Sequence, residues 1–365
     1  MPTLFTLREY INATLDKSYN RATAGMFQQI VRMATGQGSA IQAAMRELEA
    51  EAERLQEAGE VMRPDNPTIV KALSVIEDEM VTTQNLILAN GAEIEQSGQE
   101  VAPVATIAKL MMGITAVLLA RGVNPLQSER VYRDAILEGG LGFVIPDGLD
   151  FVRMYTQSQA WIERMEGWGE GYADLIGKLA QKGVFEGWGP IRMAREIRQY
   201  AENIPIWASE NITRTLQLKS YRDASAAMEL MNGRFIEKKI RIAALDNRTC
   251  PACLALHGTE IPLGAPVEDH YNGRCDAILI PVGGSMPESM QAFSKPGERN
   301  FVPWQNGEDW FAGLTDEQQR AFLGPGKFEV YKSGVPLSEF WHTHTDSVFG
   351  DMPVVKPLKD LVSND

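Results

Sequence analysis

Cys250-Pro-Ala-Cys253 and His270-Tyr-Asn-Gly-Arg-Cys275 bracket the stretch of this chain that decides its reading. All three cysteines of the 365 residues fall inside it, spaced C-x2-C, then sixteen residues, then H-x4-C. Two close pairs of soft or borderline donors suit a tetrahedral zinc ion. One pair bites from a single turn and the second closes the shell after a loop or hairpin. Gly258, Pro262, Gly264 and Pro266 make the intervening segment turn-rich rather than helical. With no fourth cysteine, His270 completes a set of Cys250, Cys253, His270 and Cys275, and His257 stands in reserve. Four protein ligands leave no open position, so such a site is structural and not hydrolytic. The competing reading is a redox Cys-x-x-Cys. That pair should open a helix behind a buried strand in a βαβ unit, whereas Asp246-Asn-Arg-Thr249 reads as a polar turn.

Immediately outside this window the texture is that of strands. Phe235-Ile-Glu-Lys-Lys-Ile-Arg-Ile-Ala-Ala-Leu245 mixes β-branched and charged residues in near alternation, and Asp276-Ala-Ile-Leu-Ile-Pro-Val282 follows the last cysteine. One strand leading in and one leading out predict a small sheet stapled by metal. Further on, Glu308 to Leu314 and Thr315 to Gly324 read as local helices, with Thr315 and Gln318 placed as a capping box. The tail from Asp346 carries weak structure signals.

Upstream the pattern is helical. Phe27, Ile30, Val31 and Met33 recur at helical steps between Leu7 and Leu55, and Ser39 offers an N-cap. A third helix is predicted from Thr68 to about Ala89, where Asn90-Gly91 should stop it. Val101 to Ala120 is apolar, but Lys109 interrupts it, which predicts a core helix rather than a membrane span. Helices are expected over about 127–137, 151–165 and 172–179, with Glu138 to Gly148 as a glycine-rich linker that lacks both phosphate-loop signatures. Gly-Trp-Gly at 167–169 and 187–189 is too few copies for a repeat array. Pro190 opens a helix to Ala201, and Pro205 opens another to Met231.

The fold expected is mainly α, an extended N-terminal helical region followed by a small zinc-stapled α+β C-terminal domain. Serial boundaries give a helical domain at 1–165, a helical connection at 166–233, the zinc-bearing domain at 234–345 and a tail at 346–365. A net charge of −13 argues against a nucleic-acid binder, since phosphate contacts need clustered Lys and Arg. The densest basic run, Glu237-Lys-Lys-Ile-Arg241, is short. The odd cysteine count argues against a disulfide scaffold, and Met1 to Glu9 shows no signal-peptide pattern.

Asp246-x-Arg-Thr-Cys-Pro-x-Cys-x-x-Leu-x-Gly258, then His270 and Arg274-Cys275, then the strand to Pro281, resembles the C-terminal domain of phage Mu F-like minor head proteins. Leu323-Gly-Pro-Gly-Lys-Phe-Glu-Val-Tyr-Lys-Ser-Gly334 resembles that family's closing segment, and the resemblance covers about 170–340. The pattern departs in three places. Tyr271 stands where the family has proline, Gly273 where it has the first cysteine of Cys-Arg-Cys, and Thr215-Leu216 where it often has Thr-Glu.

The resemblance implies a minor head or head-morphogenesis protein of a tailed phage. It would be made in the host cytoplasm and built into the virion head near the portal, some such proteins accompanying DNA into the host. It implies binding rather than turnover, with the portal protein, the major capsid protein or another copy as partner. Zinc would be structural, and Asp246, Arg248, Thr249, Gly258 and Arg274 would support the ligand loops. No direct sequence-specific nucleic-acid binding and no transmembrane segment are expected. Only 34 residues follow Tyr331, too few for the extra toxin domain some members carry.

Two other classes compete. A zinc-stabilised HNH-type nuclease would need His270 free for catalysis and usually a second Cys-x-x-Cys, and the acidic balance disfavours DNA grip. A non-viral zinc-bearing adaptor would share the fold argument. His342-Thr-His344 with Asp346 reads as exposed polar side chains rather than a second cluster, and no G-x-S-x-G elbow is present.

Overall fold

A computed structural model describes residues 4–110, 170–246, 248–295, 298–346 and 349–362. The predicted helices near 127–137 and 151–165, the linker at 138–148, the first Gly-Trp-Gly and the segment 111–120 lie outside the described residues. Within them the chain is mainly helical, with small sheets confined to the C-terminal part. No helix among them is long and apolar enough to cross a membrane.

Helices α1 (Leu4–Thr35) and α2 (Ala40–Ala58) meet at Ser39, whose hydroxyl accepts from the Gln42 amide at 3.1 Å as the sequence predicts. Helix α3 (Pro67–Gln99) runs through Asn90-Gly91, which the sequence reading takes as its stop. Ile87 and Ile94 are both fully buried, so packing on either side outweighs the local cost of Asn and Gly. Residues 102–110 are again helical. Helix α4 (Glu170–Phe185) extends past Gly183. Helix α5 is one rod from Pro190 to Met231, not two, and Pro205 lies inside it. The Ser209 hydroxyl bonds the Pro205 carbonyl at 2.5 Å within that stretch.

The chain folds into two compact units that do not follow its order. One comprises 18–95 and 157–216, the other 1–17, 96–156 and 217–365. Helices α1, α3 and α5 each contribute to both units. The first unit buries Ile41, Met45, Leu48, Ala52 and Leu55 of α2, spaced at three and four, against Ile69, Ile76 and Met80 of α3 and Met193, Ile197 and Ala201 of α5.

In the second unit, α5 leads into β1 (Ile236–Ile242), which is central in a three-stranded antiparallel sheet between β2 (Glu260–Ile261) and β3 (Asp276–Pro281). Both strands predicted around the cysteine window are present. The loop between them is not wholly irregular, since it contains helix α6 (Pro251–Leu256) and β2. Hairpin β4 (Ser289–Lys295) to β5 (Glu298–Pro303) follows, then α7 (Gly307–Ala312) and α8 (Asp316–Lys332). The Thr315/Gln318 capping box is formed. The tail is more ordered than its sequence signals suggest: β6 (Trp341–Asp346) pairs with β7 (Gly350–Val355), and α9 (Leu358–Val362) closes the chain.

Strand β1 is buried on both faces. Ile240 joins Ile278 and Ile280 of β3 on one, while Lys239 and Arg241, two apart, share the other. On that second face Lys239 meets Glu229 of α5, and Arg241 shares Asp269 with Arg222, which lies seven residues and two turns before Glu229. The Lys239 ammonium lies 2.5 Å from the Glu229 carboxylate, each side chain 1% exposed, and it also donates to the Ala265 carbonyl. Two of the three basic residues of that short run, Lys239 and Arg241, are therefore internal, while Lys238 stays exposed.

Candidate metal centre

Asp246 sets the entry to the site. Its carboxylate accepts from the Arg248 amide at 3.0 Å and the Thr249 hydroxyl at 3.1 Å, forming the polar turn that delivers Cys250. The same carboxylate takes both Arg274 nitrogens at 2.6 and 2.7 Å, which ties the first cysteine loop to the second. Burial opposes its charge, but Arg274 prevails and lowers its pKa to about 2.

Cys250 then N-caps α6, its sulfur accepting from the Cys253 amide at 3.4 Å, with Pro251 at the first helical position. The pair opens a helix, behind the polar turn that the sequence predicts. The preceding strand belongs to an antiparallel sheet, however, so the βαβ setting of a thioredoxin-like pair is missing.

His270 Nε2 stands 3.3 Å from the Cys250 sulfur and 3.3 Å from the Cys253 sulfur. A tetrahedral ion bound at ordinary metal–sulfur and metal–nitrogen lengths has S···N edges of about 3.6 Å. The donors need move only a few tenths of an ångström. Cys250, Cys253 and His270 form one group with ligand atoms within 4.8 Å of one another, and Cys253, Asp269 and Cys275 form a second. Cys253 is common to both, and its thiol lies 3.6 Å from Asp269 Oδ1. The residues therefore gather all four predicted ligands in one cluster that could hold a metal ion. Cys275 joins it through Cys253 rather than through His270.

The thiols polarise one another. The hydrogen bond from Cys253 and the nearby His270 imidazole bring Cys250 down to about 4. Cys253, bonded to Cys250 and Cys275 and buried, is held well above the ordinary thiol range. Burial disfavours the His270 charge, but Cys250 and Asp269 carry its pKa to about 9. Its Nδ1 lies 2.9 Å from the Tyr271 carbonyl, the orienting contact common to metal-binding histidines.

Asp269 is the residue the sequence reading missed. Its side chain is fully buried. Oδ2 accepts from Arg222 at 3.1 Å and the Cys275 amide at 2.9 Å, while Oδ1 accepts from Arg241 at 3.3 Å and the His270 amide at 3.0 Å. Arg222 also bonds the carbonyls of Gly273 and Cys275. With both oxygens engaged by four N–H donors, and Oδ1 also 3.6 Å from the Cys253 sulfur, Asp269 clamps the second ligand loop against the cluster. One signal was available: an acidic residue directly before His270.

The clamp also constrains Gly273. A Cβ there would lie 2.1 Å from the Asp269 carboxyl carbon, so a side chain at this position would displace it. Gly258 is equally constrained, at φ +87° and with a Cβ position 3.1 Å from Asn306.

His257 is not brought to the cluster. Its Nδ1 accepts the Ala243 amide at 2.9 Å and its ring stacks on Trp304 with centroids 5.4 Å apart. His342 and His344 are exposed on β6 and, two apart, share one face of that strand. Among the described residues they belong to no group of three metal-capable side chains, and Asp346 accepts instead from the Tyr271 hydroxyl at 2.9 Å. The chain matches no protein-family model, and no curated protein or solved structure matches it.

Proposed function

We propose that this chain is a head-morphogenesis or minor head protein of a tailed phage, a binding component whose C-terminal part is stapled by a structural zinc ion. The observation that carries the metal half is the convergence of Cys250, Cys253 and His270 within hydrogen-bonding distance, with Cys275 held to the same cluster. Three thiols and an imidazole are the donor set of a closed zinc site, and zinc binding would add folding free energy to a small sheet. With Nε2 among the sulfurs, His270 serves as a ligand rather than as a nuclease base. The phage half rests on the motif from Asp246 to Pro281 and the segment from Leu323 to Gly334. Docking onto the portal or capsid protein follows from that resemblance.

The test begins with elemental analysis of the whole chain beside its His270→Ala and His257→Ala variants. One zinc per chain, lost or weakened in His270→Ala and retained in His257→Ala, is the expected result. The reverse pattern would reassign the ligand, and no metal in the wild type would remove the staple. The assembly role is tested by co-expression with portal and capsid proteins of the encoding phage. Absence of the chain from purified particles would overturn it.

A further inference from the structure

We propose that the outer edge of β6 is a self-association surface, where two copies of this chain pair strand to strand and hold a divalent metal ion among four histidines. The proposal uses none of the cysteine-cluster ligands and stands or falls apart from that reading.

Among the described residues β6 and β7 pair only with each other, so each has one edge outside the hairpin. Phe340 accepts the Lys356 amide at 2.8 Å, and the same register continues as His342 with Val354 and His344 with Met352. By alternation these pairs exchange hydrogen bonds, which turns the N–H and C=O of Trp341, Thr343 and Thr345 outward. Among the described residues no further backbone group meets them there. The two edges differ. Thr343 lies opposite Pro353, which has no N–H to offer on the outer side of β7. That edge carries a block against strand addition, whereas β6 contains neither proline nor lysine and is exposed over 342–345.

The side chains name the occupant. When β6 pairs antiparallel with itself about a two-fold axis at Thr343, His342 lies opposite His344 of the second copy, and His344 opposite its His342. An axis at His342 or at His344 would instead leave one imidazole of each chain opposite Phe340 or Asp346. Across the new pair the histidine Cα atoms lie about 4.5 Å apart, and along each strand about 6.8 Å. All four imidazoles stand on one face, a donor set for zinc, copper or nickel rather than for calcium or magnesium. One chain supplies two imidazoles, half of a four-coordinate shell. Asp346 does not complete it, since its oxygens accept from the Tyr271 hydroxyl and the Phe349 amide, each at 2.9 Å.

The whole chain is titrated with zinc while analytical ultracentrifugation follows its mass. The mass should double, with one ion per two chains beyond any held by the cysteines, and should fall back when a chelator is added. Hydrogen exchange should slow in peptides covering 341–346 as the outward amides find acceptors. His342→Ala and His344→Ala should each weaken the zinc-dependent association by about tenfold or more, a loss of at least about 1.4 kcal/mol. The double variant keeps the cysteine cluster, so any zinc it retains belongs there. Thr343→Pro keeps both histidines and the bonds to β7 but removes the central outward N–H, and should remain monomeric with zinc. A wild-type mass that does not respond to zinc overturns the proposal, as does doubling that survives loss of both histidines. Doubling that survives Thr343→Pro overturns the strand pairing. The wild-type titration decides even if a variant does not fold.

Discussion

Replacing Asp269 by asparagine separates a clamp from a ligand. The substitution keeps size and shape but removes the charge that Arg222 and Arg241 face, and it turns one acceptor oxygen into a donor. That donor meets either Arg222 and the Cys275 amide at 3.1 and 2.9 Å, or Arg241 and the His270 amide at 3.3 and 3.0 Å. Breaking one side of a buried ion pair costs about 3–5 kcal/mol. Since about 1.4 kcal/mol is tenfold, amide exchange in β1 and β3 should accelerate by about two to four orders of magnitude. Hydrogen-exchange mass spectrometry on peptides covering 236–242 and 276–281 reads this, with peptides of α2 as the unperturbed reference. Metal affinity should also fall about 10- to 100-fold because the second ligand loop loses its anchor. A clamp outside the inner shell predicts that the visible spectrum of whatever cobalt remains bound is unchanged. The reasoning is refuted if the variant exchanges within fivefold of wild type and keeps its affinity. A changed cobalt spectrum would instead make Asp269 a ligand.

Lys239→Met should leave Glu229 buried without its cation, costing about 3–5 kcal/mol, and adding Glu229→Leu should restore most of it; a double-mutant cycle in urea with no recovery would refute the pairing. Gly273→Cys should fail to strengthen metal binding and should destabilise the second unit, because its side chain meets the Asp269 carboxyl; tighter metal binding with unchanged melting would contradict this. Burial, only partly offset by the Thr213 hydroxyl at 2.8 Å, pushes Tyr19 up to about 12. The folded chain then holds this proton where the unfolded chain releases it. The associated stability is complete below pH 10 and is lost as pH rises from 10 towards 12, about 3 kcal/mol in all. Tyr19→Phe should flatten that alkaline loss, measured as the urea midpoint between pH 9 and 11.

Local chemistry was legible where a few adjacent residues determine the outcome. Ser39 before an alanine-rich run, Thr315 with Gln318, and β-branched runs around the cysteines are decided by backbone capping and strand packing, and each forms as read. The cluster of Cys250, Cys253 and His270 was legible for the same reason, since soft donors at ligand spacing have few other uses. The misreadings arose where tertiary burial outweighed local preference. Asn90-Gly91 and Pro205 are breakers in isolation, yet both lie inside helices whose flanking turns are buried. The ionic seam was hidden for a deeper reason. Lys109, Arg222, Glu229, Lys239, Arg241, Asp269 and Asp276 look like surface residues in a linear reading, because charged side chains are rarely buried. Their pairing across 47 residues for Arg222 and Asp269, and 167 for Lys109 and Asp276, is fixed only when α5, the helix at 102–110 and the sheet come together. One clue was present. A single lysine in the apolar run before Ala120 should either reach water or find a carboxylate, and Lys109 finds Asp276 at 2.6 Å, the residue directly after the last cysteine. The ligand loop and the helical core are therefore joined by neighbouring side chains: Cys275 answers to the cluster, and Asp276 to the helix.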